Sequence, residues 1–132
     1  MLTRFEALAW DAVTEAGGRL VKLIGDEAML VCPTAAGAAR AALAIVEASA
    51  GSDLLAARAG LAIGPLLPRG GDYFGAPVNL ARRLVDRAEP GTVVVDERFK
   101  AALPEGFEFE RLERRPLKGI GDSAAWRLRG SE

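Results

Sequence analysis

The chain has no histidine and only one cysteine, Cys32. The first absence removes imidazole general bases, His-ligated zinc and Ser-His-Asp catalysis together, so any chemistry runs on carboxylates, Lys, Arg, Asn and metals held by oxygen. The second excludes an intrachain disulfide and suits a reducing compartment. No apolar run approaches the roughly 18 residues needed to cross a bilayer. The opening MLTRFEALAW lacks the separate basic and apolar regions of a signal peptide. A cytoplasmic location is therefore expected. A charge surplus is missing too: 17 basic against 18 acidic residues give a net charge of -1. A nucleic-acid binder would carry a basic excess, and an RNA-binding sheet would need more than 6% aromatic residues. Phosphate recognition, if present, must be local.

What is there suits one domain over residues 1–132. Half of the residues are hydrophobic and 27% are charged, enough to bury a single core. Leu2, Phe5, Leu8, Ala12, Val13 and Ala16 recur at helical spacing, with Thr3 and Glu6 as a capping box and Gly17-Gly18 as a stop. RLVKLI (19–24) and EAMLVC (27–32) read as strands joined by a Gly25-Asp26 turn. An Ala-rich helix follows Pro33-Thr34 to about Ala48, and 54–64 reads as a long strand. PLLPRGGD then forms a turning loop that includes Asp72, and a helix over 75–88 carries Val78, Ala81, Leu84, Val85 and Ala88 on its core stripe. TVVVD (92–96) is a short strand, and 107–113 with 124–129 form a closing hairpin around LKGIGD. This order predicts an α+β fold, a mainly antiparallel sheet with helices on one face.

The segment GDYFGAPVNLARR, residues 71–83, brings chemistry to that frame. Asp72 accepts hydrogen bonds, Asn79 both donates and accepts, and Arg83 presents a cationic fork suited to phosphate. Asn79 and Arg83 lie one helical turn apart on one face. In VKLIGDEAML, Lys22 stands four residues before Asp26. Taken singly, each has a plain structural reading. Asp26 and Asp72 would be turn formers, Lys22 and Asn79 solvated surface groups, and Arg83 a partner of Asp86 or Glu89 on its own helix.

Taken jointly, GGRLVKLIGDEAML, AGLAIGP, GGDYFGAPVNLARRL, PGTVVVDE and PLKGIGDSAAWRL resemble, in order and spacing, the class III nucleotidyl cyclases. That family comprises the adenylyl and guanylyl cyclase catalytic domains, and the resemblance covers residues 17 to 129. It implies a ferredoxin-like α/β sandwich that converts a nucleoside triphosphate to its 3',5'-cyclic monophosphate and pyrophosphate. By position, Asp26 would ligate the catalytic metals, a Mg2+ or Mn2+ pair. Lys22 and Asp72 would read the base, Asn79 and Arg83 would hold the ribose and stabilise the transition state, and Lys118 would lie near the triphosphate.

A Lys–Asp pair suits adenine, which accepts at N1 and donates from its exocyclic amine, and mismatches guanine, where the pattern is reversed. ATP is the expected substrate, which makes the expected activity that of an adenylate cyclase, a lyase forming cAMP. The resemblance also implies a homodimer with active sites at the interface, one domain giving the metal carboxylates and its partner the base, ribose and phosphate contacts. The family's second metal carboxylate lies on an N-terminal strand that residues 1–16 do not match. That strand would be central to the sheet, and without it the strands beside it would keep unpaired edges. Asp11, mid-helix after Trp10, does not replace it. One carboxylate holds magnesium weakly, so little or no turnover is expected of this chain alone. The competing reading is a catalytically silent cyclase-homology module for dimerisation or nucleotide sensing.

Overall fold

The structure, a computed structural model, describes residues 4–24, 27–50, 56–113, 115–117 and 121–131. Helix α1 (Arg4–Glu15) buries Ala9 and Val13 and leaves Trp10 half exposed. It ends where its spacing predicted: Gly18 N donates to Val13 O and Gly17 N to Thr14 O, a two-bond cap that satisfies carbonyls the helix cannot. Thr3, the expected cap at the other end, lies outside the described residues. Strands β1 (Arg19–Ile24) and β2 (Glu27–Val31) pair antiparallel as expected. Their register slips once. Leu20 faces Leu30 and Lys22 faces Met29, so Val21 is an extra residue on β1, a bulge the sequence did not announce. The Gly25-Asp26 turn lies outside the described residues.

Helix α2 (Ala35–Ala50) is capped by Thr34, whose Oγ1 accepts from Gly37 N at 3.0 Å. Strand β3 (Ala59–Leu61) is much shorter than the run expected over 54–64. A strand is only as long as its partner, and β3 pairs in parallel with β6 (Val93–Asp96), Ala59 opposite Val93 and Leu61 opposite Val95. The segment between is not a plain loop. Strands β4 (Leu67–Arg69) and β5 (Asp72–Phe74) form a tight hairpin, so Asp72 opens a strand. Gly70 and Gly71 make this possible with φ of 59° and 82°, the pair of positive values a two-residue primed turn requires. Helix α3 (Ala76–Arg87) follows, with Pro77 in its first turn.

A helix absent from the sequence reading, α4 (Glu97–Ala102), comes next. Its cap is Asp96, whose Oδ1 accepts from Phe99 N at 3.0 Å. Strand β7 (Phe107–Arg111) pairs antiparallel with β10 (Ala125–Ser131), the expected closing hairpin. Its connection holds a further small hairpin, β8 (Arg115–Leu117) with β9 (Gly121–Ser123).

The main sheet runs β3-β6-β10-β7, and only β3 with β6 is parallel. β1–β2 forms its own two-stranded sheet, with no ladder to β3 among the described residues. The core has two faces, because successive residues of β6 point opposite ways. Val93 and Val95 pack with Ala39, Ala42 and Val46 of α2, with Phe99 and with Leu128. Val94 packs with Leu84 and Ala88 at α3 and with Ala125. The fold is α+β and mainly antiparallel as expected. Its helices, however, cover both faces of the main sheet: a strand apolar on both sides, such as VVVD, needs cover on both. No helix among the described residues is long and apolar enough to cross a membrane.

Candidate functional site

Three elements carrying four of the six candidate residues meet around β5. Strand β5 contacts β1, which carries Lys22, and α3, which carries Asn79 and Arg83. Asp72 is the first residue of β5, opposite Arg69 across the hairpin. Its Oδ1 accepts from Tyr73 N at 2.7 Å, which fixes the carboxylate against its own strand. Lys22 lies on β1 opposite Met29, just past the bulge. Asp26 and Lys118 lie outside the described residues.

Helix α3 sits very close to β3. At Gly60 an added Cβ would overlap the Ala81 carbonyl oxygen and lie 2.6 Å from the Val85 nitrogen, so the two backbones touch with no side chain between them. This contact, with buried Leu84, fixes the roll of the helix. Asn79 is then exposed and Arg83 half-buried, one turn apart. The Arg83 Nε is buried and has no hydrogen-bond partner among the described residues. A buried N–H without a partner is costly, so the position suits an acceptor supplied from elsewhere. At the last turn of α3, Arg87 Nη2 donates to Glu113 O. That bond holds α3 to the chain just before β8, the strand leading to Lys118.

A cavity of about 260 Å³ opens beside Asp72, lined by Arg19, the β4–β5 turn and Tyr73. Arg19 Nη1 donates to Tyr73 Oη at 3.3 Å. Neither residue was singled out from the sequence, although both stand inside the motifs quoted there; the only available signal was their closeness to Lys22 and Asp72. Among the described residues no group of three or more His, Cys, Asp or Glu could hold a metal ion. Cys32 lies just past β2 with its thiol pushed up by burial, which makes it a poor nucleophile and ligand.

The sequence signature of the adenylate and guanylate cyclase catalytic domain matches residues 2–130. An uncharacterised protein of Mycobacterium tuberculosis is 45% identical over 106 residues, covering 80% of this chain and 28% of that protein. An adenylate cyclase of Glutamicibacter nicotianae is 36% identical over 135 residues, covering all of this chain and 34% of that protein. The chain thus spans about a third of the length of these relatives. Among solved structures, the catalytic core of a rhodopsin-guanylyl cyclase with converted specificity superposes with a TM-score of 0.85 at 21% identity. The superposition covers 98% of this chain and 80% of that one, and at this identity it speaks for the fold. The chain belongs to the family of adenylate and guanylate cyclase catalytic domains.

Proposed function

We propose that this domain binds ATP and serves its conversion to 3',5'-cyclic AMP and pyrophosphate, as half of a homodimeric site. In that reaction the ribose 3'-oxygen bonds to the α-phosphorus, the bond to the β-phosphate bridge breaks, and the 3'-hydroxyl proton is released. Lys22 donates to adenine and Asp72 accepts from it. Asn79 holds the ribose. Arg83 offers its fork where charge builds on the phosphoryl oxygens, and a preorganised donor at such a point is worth roughly 3 to 4 kcal/mol of barrier. Lys118 contacts the triphosphate. The observation that supports this reading is the meeting of β1 and α3 at β5, the three elements on which Lys22, Asp72, Asn79 and Arg83 stand. The unpartnered Arg83 Nε supports it. The solved structure compared above was a complex with ATPαS, an ATP analogue.

Class III cyclases generally use divalent metal ions, and when bound such ions neutralise triphosphate charge and orient the reacting groups. In this chain Asp26 is the ligand we assign. The acids of residues 1–16 are Glu6, Asp11 and Glu15, and none stands in a segment that matches the family's metal-binding strand. Asp26 would hold a Mg2+ or Mn2+ ion through its carboxylate oxygens, and a single carboxylate binds such an ion weakly. The domain is proposed to work in the cytoplasm.

The test is binding of ATP and GTP by calorimetry with Mn2+ present, together with cAMP production. ATP should bind more tightly, and Lys22→Glu with Asp72→Cys should erase the preference. A preference untouched by the double change would sink the base-reading assignment. Selective binding of ATP with no cAMP formed, even with manganese, would favour the nucleotide-sensing module instead.

A further inference from the structure

Lys22 and Asp72 can read one purine only if their strands are held at a fixed offset. β1 belongs to one two-stranded sheet and β5 to another, so among the described residues no backbone ladder sets that offset. Something else must. Arg19 Nη1 donates to Tyr73 Oη across this gap, while the Tyr73 amide donates to the Asp72 carboxylate. Tyr73 therefore has one end on the base-reading carboxylate and the other on the strand of the base-reading lysine.

The bulge at Val21 gives this link its direction. Residues 19 and 22 are three apart, so in a regular strand they would fall in opposite phases of the pleat. With Val21 extra, Arg19 pairs with Val31 and Lys22 with Met29, two residues apart on β2, and both positions fall in the same phase. The cavity beside Asp72 is lined by Arg19 and Tyr73 as well.

We propose that Arg19 and Tyr73 are positioning residues for purine selection, clasping the β4–β5 hairpin to β1 so that Asp72 and Lys22 address the same base. The inference rests on the base-reading roles proposed above. Its consequence is separable: the clasp acts through the placement of Asp72 and Lys22, and by that route it sets the preference between ATP and GTP.

The experiment uses the full chain with ATP or GTP and Mn2+, binding measured by calorimetry, with hydrogen exchange of residues 67–74 as a second readout. Tyr73→Phe removes only the hydroxyl. It should speed exchange in the hairpin, leave the unfolding midpoint unchanged and narrow the ATP-to-GTP affinity ratio by about three- to tenfold, the scale of one net hydrogen bond. Arg19→Met should do the same, and Arg19→Lys, which keeps a donor, should retain most of the ratio. If Tyr73→Phe fails to fold, Arg19→Met decides. A ratio unchanged in both variants, with Asp72→Ala collapsing it, overturns the clasp and leaves the base-reading roles standing. A ratio unchanged in all three variants, or no nucleotide binding at all, overturns both.

Discussion

Leu84 shows how one side chain can serve both stability and site geometry. It is fully buried, packs with Ala88, Val94 and Ala125, and is the residue on which α3 rests. Leu84→Ala should cost about 2 to 5 kcal/mol, because transfer energy is lost and the backbone contact at Gly60 prevents the helix from settling into the hole. Urea unfolding measures it, and a loss below about 1 kcal/mol would mean that the site collapses freely. Cys32 makes the opposite point about reactivity. Burial raises its thiol above the ordinary cysteine value. A group whose folded value is raised favours its protonated form in the folded state. Its stabilising contribution is complete below the unfolded value and fades as pH climbs through the folded one. Iodoacetamide near neutral pH should therefore alkylate Cys32 more slowly in the folded protein than in urea. Equal rates would show that the thiol is not shielded.

At the scale of elements, α3 depends on a single residue that carries no chemistry. Gly60→Ala would drive a methyl into the backbone of α3 at Ala81 and Val85. Neither neighbour is a flexible side chain, so the helix must move as a body, at a cost of at least about 1 to 3 kcal/mol. Asn79 and Arg83 would move with it while the β1–β2 hairpin stays in place. Thermal unfolding and ATP titration should both register the change. Unchanged nucleotide affinity in a destabilised variant would separate α3 placement from binding.

The same contact shows what the sequence could reveal. Val78, Ala81, Leu84 and Val85 announced the helix and its core stripe, and the spacing of Asn79 and Arg83 announced their shared face. Strands β1 and β2 were readable because RLVKLI and EAMLVC are β-prone runs on either side of turn residues. Less was visible where partners decide. β3 stops at Leu61 because its parallel partner is short. α4 is a six-residue helix, too short for a period, and its only flag was the Asp96 cap. The Gly70-Gly71 hairpin looked like a loop because each of its strands has three residues. The Val21 bulge exists only in the pairing of two strands, so the link from Arg19 to Tyr73 could not be read from either segment alone.

For the whole molecule, the surface that would serve the proposed homodimer is the hairpin that carries Asp72. Leu67 and Phe74 face each other across β4–β5 with 59% and 50% of their surface exposed. Two large apolar side chains paired on a short hairpin form a patch that a second copy of the chain would cover, as the proposed composite site requires. Leu67→Asp with Phe74→Lys should leave the unfolding midpoint nearly unchanged, since exposed substitutions usually act within about 0.5 kcal/mol. In analytical ultracentrifugation the parent chain should shift from monomer to dimer with concentration, and the double variant should remain monomeric. Phe74 lies two residues after Asp72 on the same strand, so the proposed dimer contact and the proposed base reading would share one element. Linkage then demands reciprocity: if dimerisation tightens ATP binding, ATP must tighten dimerisation by the same factor. Adding ATP with Mn2+ should lower the parent chain's dimer dissociation constant and leave the double variant monomeric. A dimer constant indifferent to ATP would mean that this hairpin does not join the two functions.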